Sequence, residues 1–200
     1  ASGSGISGND SLSRLGALVA GPADALYAIW ADNAGGDFDA FVRRWDGRAW
    51  AEVGNGSASG NGVSPGSGNS QLATLALDAT GAPLAAWYET TPTGAEVYVR
   101  RWDGARWMEV TPGSARGGGL SDNSGASAGV ALLAARDGRL FAAWEDNSSG
   151  NYEIYLRAMG GAPCYRLALT HTGQGADRTA APDRSTGCAA GRYLPGATVT

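Results

Sequence analysis

The 200-residue chain has room for one large domain or two small ones, and 43% hydrophobic against 17% charged residues supplies enough apolar material for a core. A net charge of −4 argues against a nucleic-acid partner, and no run approaches the ~18 apolar residues that a membrane helix needs. All 15 basic residues are Arg, which beside so much Ala and Gly reads as codon bias rather than a functional device. The chain opens at Ala1 without Met and without a basic–apolar signal stretch, so a processed or excised piece is expected.

In chain order, Gly5-Ile6-Ser7 closes a Gly-rich loop and Ser13 precedes the apolar run Leu15–Ala20, which reads as a short buried strand. A second strand, Leu26–Asp32, ends in Trp30-Ala31-Asp32 before the polar tip Asn33-Ala34-Gly35-Gly36. The third strand is Asp39–Trp45; Asp46-Gly47 is a strong hairpin signal leading into a fourth, Trp50–Val53. Everything then recurs 57 residues on, with Trp30, Trp87 and Trp144, and Arg43, Arg100 and Arg157, in step. The second copy predicts strands Leu72–Leu77, Leu84–Glu89, Glu96–Trp102 and Trp107–Val110, with turns at Asp78-Ala79-Thr80-Gly81 and Asp103-Gly104. The third predicts Val130–Ala134, Leu140–Asp146 and Glu153–Met159, then decays after Arg157 with no fourth strand. No segment carries a sustained helical pattern.

Four short antiparallel strands per 57-residue repeat predict an all-β chain of β-propeller blades, three in tandem with the last incomplete, over residues 1–161. A stacked solenoid is the rival, but its repeats are usually shorter or helical. Three blades do not readily close a ring, so further blades, from another copy or from the same parent protein, are the expected partners. Residues 162–200 read as a separate, partial β-rich module.

The unit Trp144-Glu145-Asp146-Asn147-Ser148-Ser149-Gly150-Asn151-Tyr152-Glu153-Ile154-Tyr155-Leu156-Arg157 resembles a secreted bacterial propeller repeat, and its hairpin is similar to the TolB-type blade. That resemblance covers residues 1–161 and implies binding and scaffolding rather than one chemistry. The tail, from Cys164-Tyr165-Arg166 through Ser185-Thr186-Gly187-Cys188 to Gly191–Thr200, resembles the start of an internalin B-repeat. Cys164 and Cys188 are the only cysteines and no zinc spacing accompanies them, so a disulfide in an oxidising compartment is expected. Such a bridge closes a loop of about 25 residues, worth ~3–4 kcal/mol in the chain-entropy model.

Site candidates are few. His171 stands alone, without an acid-and-serine constellation, and reads as a strand or surface residue. The acids Asp32, Glu89 and Asp146 recur with Asp39, Glu96 and Glu153; a glycosidase needs one carboxylate pair, not three equivalent ones, so they are expected to partner Arg43, Arg100 and Arg157. Asp146–Asn151 is rich in oxygen ligands but lacks calcium-loop order, and reads as a hairpin tip. Trp30, Trp87 and Trp144 belong to blade packing, whereas Trp45, Trp50, Trp102 and Trp107, beside the Asp-Gly turns, are the candidate ligand-binding residues.

The expected function is a non-catalytic binding, adhesion or scaffolding module of an extracellular or cell-surface protein. A glycan-binding propeller lectin, or an accessory region of a larger secreted hydrolase, is the alternative. No enzyme activity, catalytic residue, metal or cofactor is expected; a surface glycan or protein is the further candidate partner.

Overall fold

The computed structural model describes residues 5–64, 66, 68–91, 94–135, 138–159, 165–166 and 191–193. Three antiparallel sheets carry the chain, each a strand meander and each one predicted blade. Blade 1 is β1 (Ser13–Ala20), β2 (Leu26–Asp32), β3 (Asp39–Trp45) and β4 (Trp50–Glu52). Blade 2 repeats it as β5 (Asn69–Leu77), β6 (Pro83–Thr91), β7 (Gly94–Trp102) and β8 (Trp107–Glu109). Blade 3 has β9 (Ser127–Ala134), β10 (Leu140–Asp146) and β11 (Glu153–Met159). Among the described residues the blades form no closed ring. In the tail, β12 (Tyr165–Arg166) pairs with β13 (Arg192–Tyr193). Cys164, Cys188 and His171 lie outside the described residues, and with them the expected bridge.

The predicted second, third and fourth strands fall where expected, because period-two alternation and Asp-Gly turns are local signals. At each hairpin the Asp builds the turn itself: the Asp46 carboxylate accepts from the backbone N–H groups of Arg48 (2.8 Å) and Ala49 (2.9 Å), and Asp103 does the same for Ala105 and Arg106, both at 2.8 Å. The first strands start earlier than the apolar runs indicate, at Ser13, Asn69 and Ser127. Their pairing with the second strand slips after Leu15, Gln71 and Ala128, a bulge that lets a polar stretch join the ladder.

The core lies between blades. Ala25, Tyr27, Ile29, Ala40 and Val42 on the back of blade 1 pack against Ala73, Leu75, Ala85, Trp87 and Tyr98 on the front of blade 2. One junction on, Leu84, Ala86, Val97 and Val99 meet Val130, Leu140, Ala142, Trp144 and Met159. Connectors cross between blades and complete each β3-type strand where its fourth strand has ended. The Val63 N–H donates to Ala40 O at 2.7 Å and that of Leu120 to Val97 O at 2.6 Å.

Candidate functional site: the acidic rim and the aromatic hairpins

Strand register places a serine and two acids in one row across every blade: Ser13–Asp32–Asp39, Ser70–Glu89–Glu96 and Ser127–Asp146–Glu153. The first acid ties down the start of its own repeat. Asp32 accepts from Ser13 Oγ (2.5 Å), Asn9 Nδ2 (3.1 Å) and the Ala34 N–H (2.9 Å). Asp146 accepts in the same way from Ser127 Oγ (2.5 Å), Asn123 Nδ2 (2.6 Å) and the Ser148 N–H (2.8 Å). The second acid reaches the start of the next repeat. Ser64 Oγ donates to Asp39 at 3.3 Å while accepting from the Ala40 N–H at 2.7 Å; Ser121 Oγ bridges Glu96 and the Val97 N–H likewise.

The repeated arginines do not partner these acids, which corrects the expected pairing. Arg43 Nη1 donates to Ile6 O at 2.6 Å and Arg157 Nη1 to Leu120 O at 2.5 Å, each clamping a connector through its backbone. Arg100, the middle copy, has a buried Nε without a partner, and burial lowers its pKa, with Glu109 opposing. Asp32 and Asp146 already accept from Ser and Asn side chains, and the connector carbonyls lie within reach of the guanidinium groups. The tip Asn147–Asn151 is held by protein bonds too, with the Asn147 side chain accepting from the Ala126 N–H at 2.7 Å.

Blade 2 breaks the pattern. Glu89 is one methylene longer than Asp32 or Asp146 and accepts from the Gly68 N–H at 2.8 Å, while the buried Ser70 Oγ has no partner. Across that junction Asp39 is pushed up to about 6, first by burial and then by the Glu89 and Asp37 charges, against the Ser64 hydrogen bond. Glu96 is also raised, by burial and by Asp122 and Asp146, with Ser121 opposing. Burial raises Asp146 as well, but its Ser127, Ser148 and Asn123 donors win and hold it below the usual carboxylate range.

Asp39 therefore destabilises the fold where it is ionised. Its folded pKa lies above the unfolded value of 3.8, so the folded state holds a proton that the unfolded chain has released, and stability falls as pH rises from about 4 to about 6. The full cost, on the order of 2–3 kcal/mol, is present above that window. Asp39→Asn keeps an acceptor for Ser64 and removes the charge. It is expected to be more stable than the wild type at pH 7.5 and to lose that advantage by pH 4. Urea denaturation of both proteins at the two pH values checks this; equal stability at pH 7.5 contradicts it.

The core tryptophans each stack on an aromatic directly opposite: Trp30 on Phe41 (5.9 Å), Trp87 on Tyr98 (6.0 Å) and Trp144 on Tyr155 (6.3 Å). The other four form two tilted pairs, Trp45–Trp50 at 5.8 Å and Trp102–Trp107 at 5.9 Å. The second pair is bound into the junction: Trp107 Nε1 donates to Val53 O at 3.0 Å, and the Trp102 ring fills the space where a side chain on Gly54 would lie. Trp45 and Trp50 are half-buried and rest on each other.

Sequence reading passed over Ser57 and Ser114. Both are buried, accept from the Val53 and Val110 N–H groups (2.7 and 3.0 Å) and donate to Val42 O and Val99 O (2.9 and 3.1 Å). The 57-residue step that relates them is the signal that finds them. Among the described residues no helix is long and apolar enough to cross a membrane, and no three His, Cys, Asp or Glu side chains gather to hold a metal ion.

No family model and no curated protein matches the chain. Solved structures do. An endo-arabinase from Bacteroides thetaiotaomicron is 14% identical with a TM-score of 0.44, covering 70% of this chain and 54% of its own. A candidate glycosidase from the same organism is 15% identical (TM-score 0.42; 72% of this chain, 48% of its own). A candidate glycoside hydrolase from Parabacteroides distasonis is 12% identical (TM-score 0.39; 72% and 50%). The chain thus spans about half the length of the structures it matches. The expectation that the chain is not an enzyme is set aside, since the structures it is similar to are named as an endo-arabinase, a glycosidase and a glycoside hydrolase. The finer likenesses, to TolB-type blades and internalin B-repeats, find no support in them.

Proposed function

We propose that the chain is the propeller region of a larger secreted protein that acts on carbohydrate, and that Trp45 and Trp50 meet the sugar. The contrast between the two aromatic pairs carries this reading. Trp102 and Trp107 are held by the preceding blade, whereas Trp45 and Trp50, the same residues one repeat earlier, rest on each other at the Asp46-Gly47 hairpin. An indole pair of this kind offers an apolar platform to the C–H face of a pyranose ring, from which water leaves on contact. A secreted setting agrees with the proposed Cys164–Cys188 bridge.

Affinity electrophoresis against a panel of polysaccharides, arabinan included, tests it. At least one is expected to retard the wild type, with retardation lost in the Trp45→Ala/Trp50→Ala double variant and kept in Trp102→Ala. Migration unaffected by every polysaccharide overturns the reading, as does retention of the double variant. Asp39 favours a second reading, since a carboxyl that keeps its proton near pH 6 beside Glu89 is suited to acid–base work on a glycosidic bond. Release of reducing ends by the wild type but not by Asp39→Asn moves the site to the acidic rim.

A further inference from the structure

Blade 3 turns outward a face that the other two blades bury. Val42 and Val99 are 0% exposed and Leu156, one repeat on, is 69%; Ala40 and Val97 are 0% and Ile154 is 73%. With Ala131, Leu133, Phe141 and Ala143, Leu156 lines a depression of about 390 Å³ on that face. The repeat itself shows what such a face takes, because at both internal junctions it is covered by the front of a blade of this same sequence pattern. Blade 1 has a front that is open in its first strand: Leu18 is 57% exposed, whereas Leu75, its equivalent, is 5%.

We infer that two copies of this chain close head to tail into a six-bladed ring, the back of blade 3 in each seated on the front of blade 1 in the other. With the three blades described in each, two copies give six, a number inside the range of four to eight at which propellers close. The connector is already placed for that junction. Arg43 holds Ile6 through its carbonyl as Arg157 holds Leu120, and Leu120 in turn donates its N–H to Val97 O of the preceding blade. The 57-residue step makes Ile154 O of the partner copy the acceptor for the Ile6 N–H. Both contacts are then one and the same junction, related by a two-fold axis, and no apolar blade face is left open. This inference stands apart from the carbohydrate reading.

Sedimentation velocity of the full chain across the micromolar range tests the ring. A species of twice 20.3 kDa is expected. Leu156→Arg and Leu18→Arg, both at exposed positions, are each expected to give monomers whose far-UV circular dichroism matches the wild type. Mixed together, the two variants should pair through the one junction they leave intact, blade 1 of the first on blade 3 of the second. A wild-type monomer, a filament, or a dimer indifferent to Leu18→Arg overturns the proposal; the last points instead to blade 3 packing on blade 3.

Discussion

Trp87→Ala is expected to cost ~3–5 kcal/mol, the range for truncating a large aromatic in a core that collapses only in part. Trp87 is fully buried at the junction of blades 1 and 2, stacked on Tyr98 at 6.0 Å with an interplanar angle of 15°. Its cluster includes Ile29, Val42 and Leu75, so the cavity would open between two sheets that are each held by their own ladder. The indole N–H has no hydrogen-bond partner, so the loss is one of packing alone. A drop in Tm on the order of 10 °C accompanies a change of that size in a chain of this length. Trp30→Ala should cost less, because that ring packs under Arg43, 5.9 Å away, rather than in the cluster joining blades 1 and 2. Thermal and urea unfolding of both variants decides it: a Trp87→Ala protein within about 1 kcal/mol of the wild type would remove the tryptophan from the core.

Gly62→Ala is expected to be about as damaging, for a reason that involves no apolar contact. Gly62 has φ +60, and a Cβ placed there stands 2.1 Å from Ala40 O. That oxygen is the acceptor for the Val63 N–H, so the added methyl displaces the bond that seats the connector on β3, and with it the Ser64–Asp39 contact. Left-handed strain in a residue with a side chain contributes ~1–2 kcal/mol and forcing backbone apart ~1–3 kcal/mol, giving about 2–5 kcal/mol together. Gly119 occupies the same position in the next junction, with φ +69 and a Cβ 2.3 Å from Val97 O, and should behave alike. Gly47→Ala separates the two causes, since Gly47 has φ +96 with nothing within 4 Å and suffers strain alone. If Gly62→Ala is no less stable than Gly47→Ala, the close approach to Ala40 is not what the position requires.

The repeat and the strand positions from Leu26 to Trp45, with their copies, are legible in the residues alone. Alternation and turn chemistry are properties of a few consecutive residues, and a 57-residue step is arithmetic, so neither needs a partner in space. Even the stacking of Trp87 on Tyr98 follows from register once the tip between strands is placed. The destinations of the charged side chains depend on contacts between residues distant in the chain. Opposite charge made Arg43 and the rim acids look like partners, but a hydrogen bond is fixed by who arrives in reach, and the connector brings Ile6 O to Arg43 and Ser64 to Asp39. Tertiary structure also decided which aromatic pair is engaged, because Trp45–Trp50 and Trp102–Trp107 are the same residues in sequence and differ only in whether a blade lies before them. Repeated units are alike in local sequence and differ in the neighbours that pack against them.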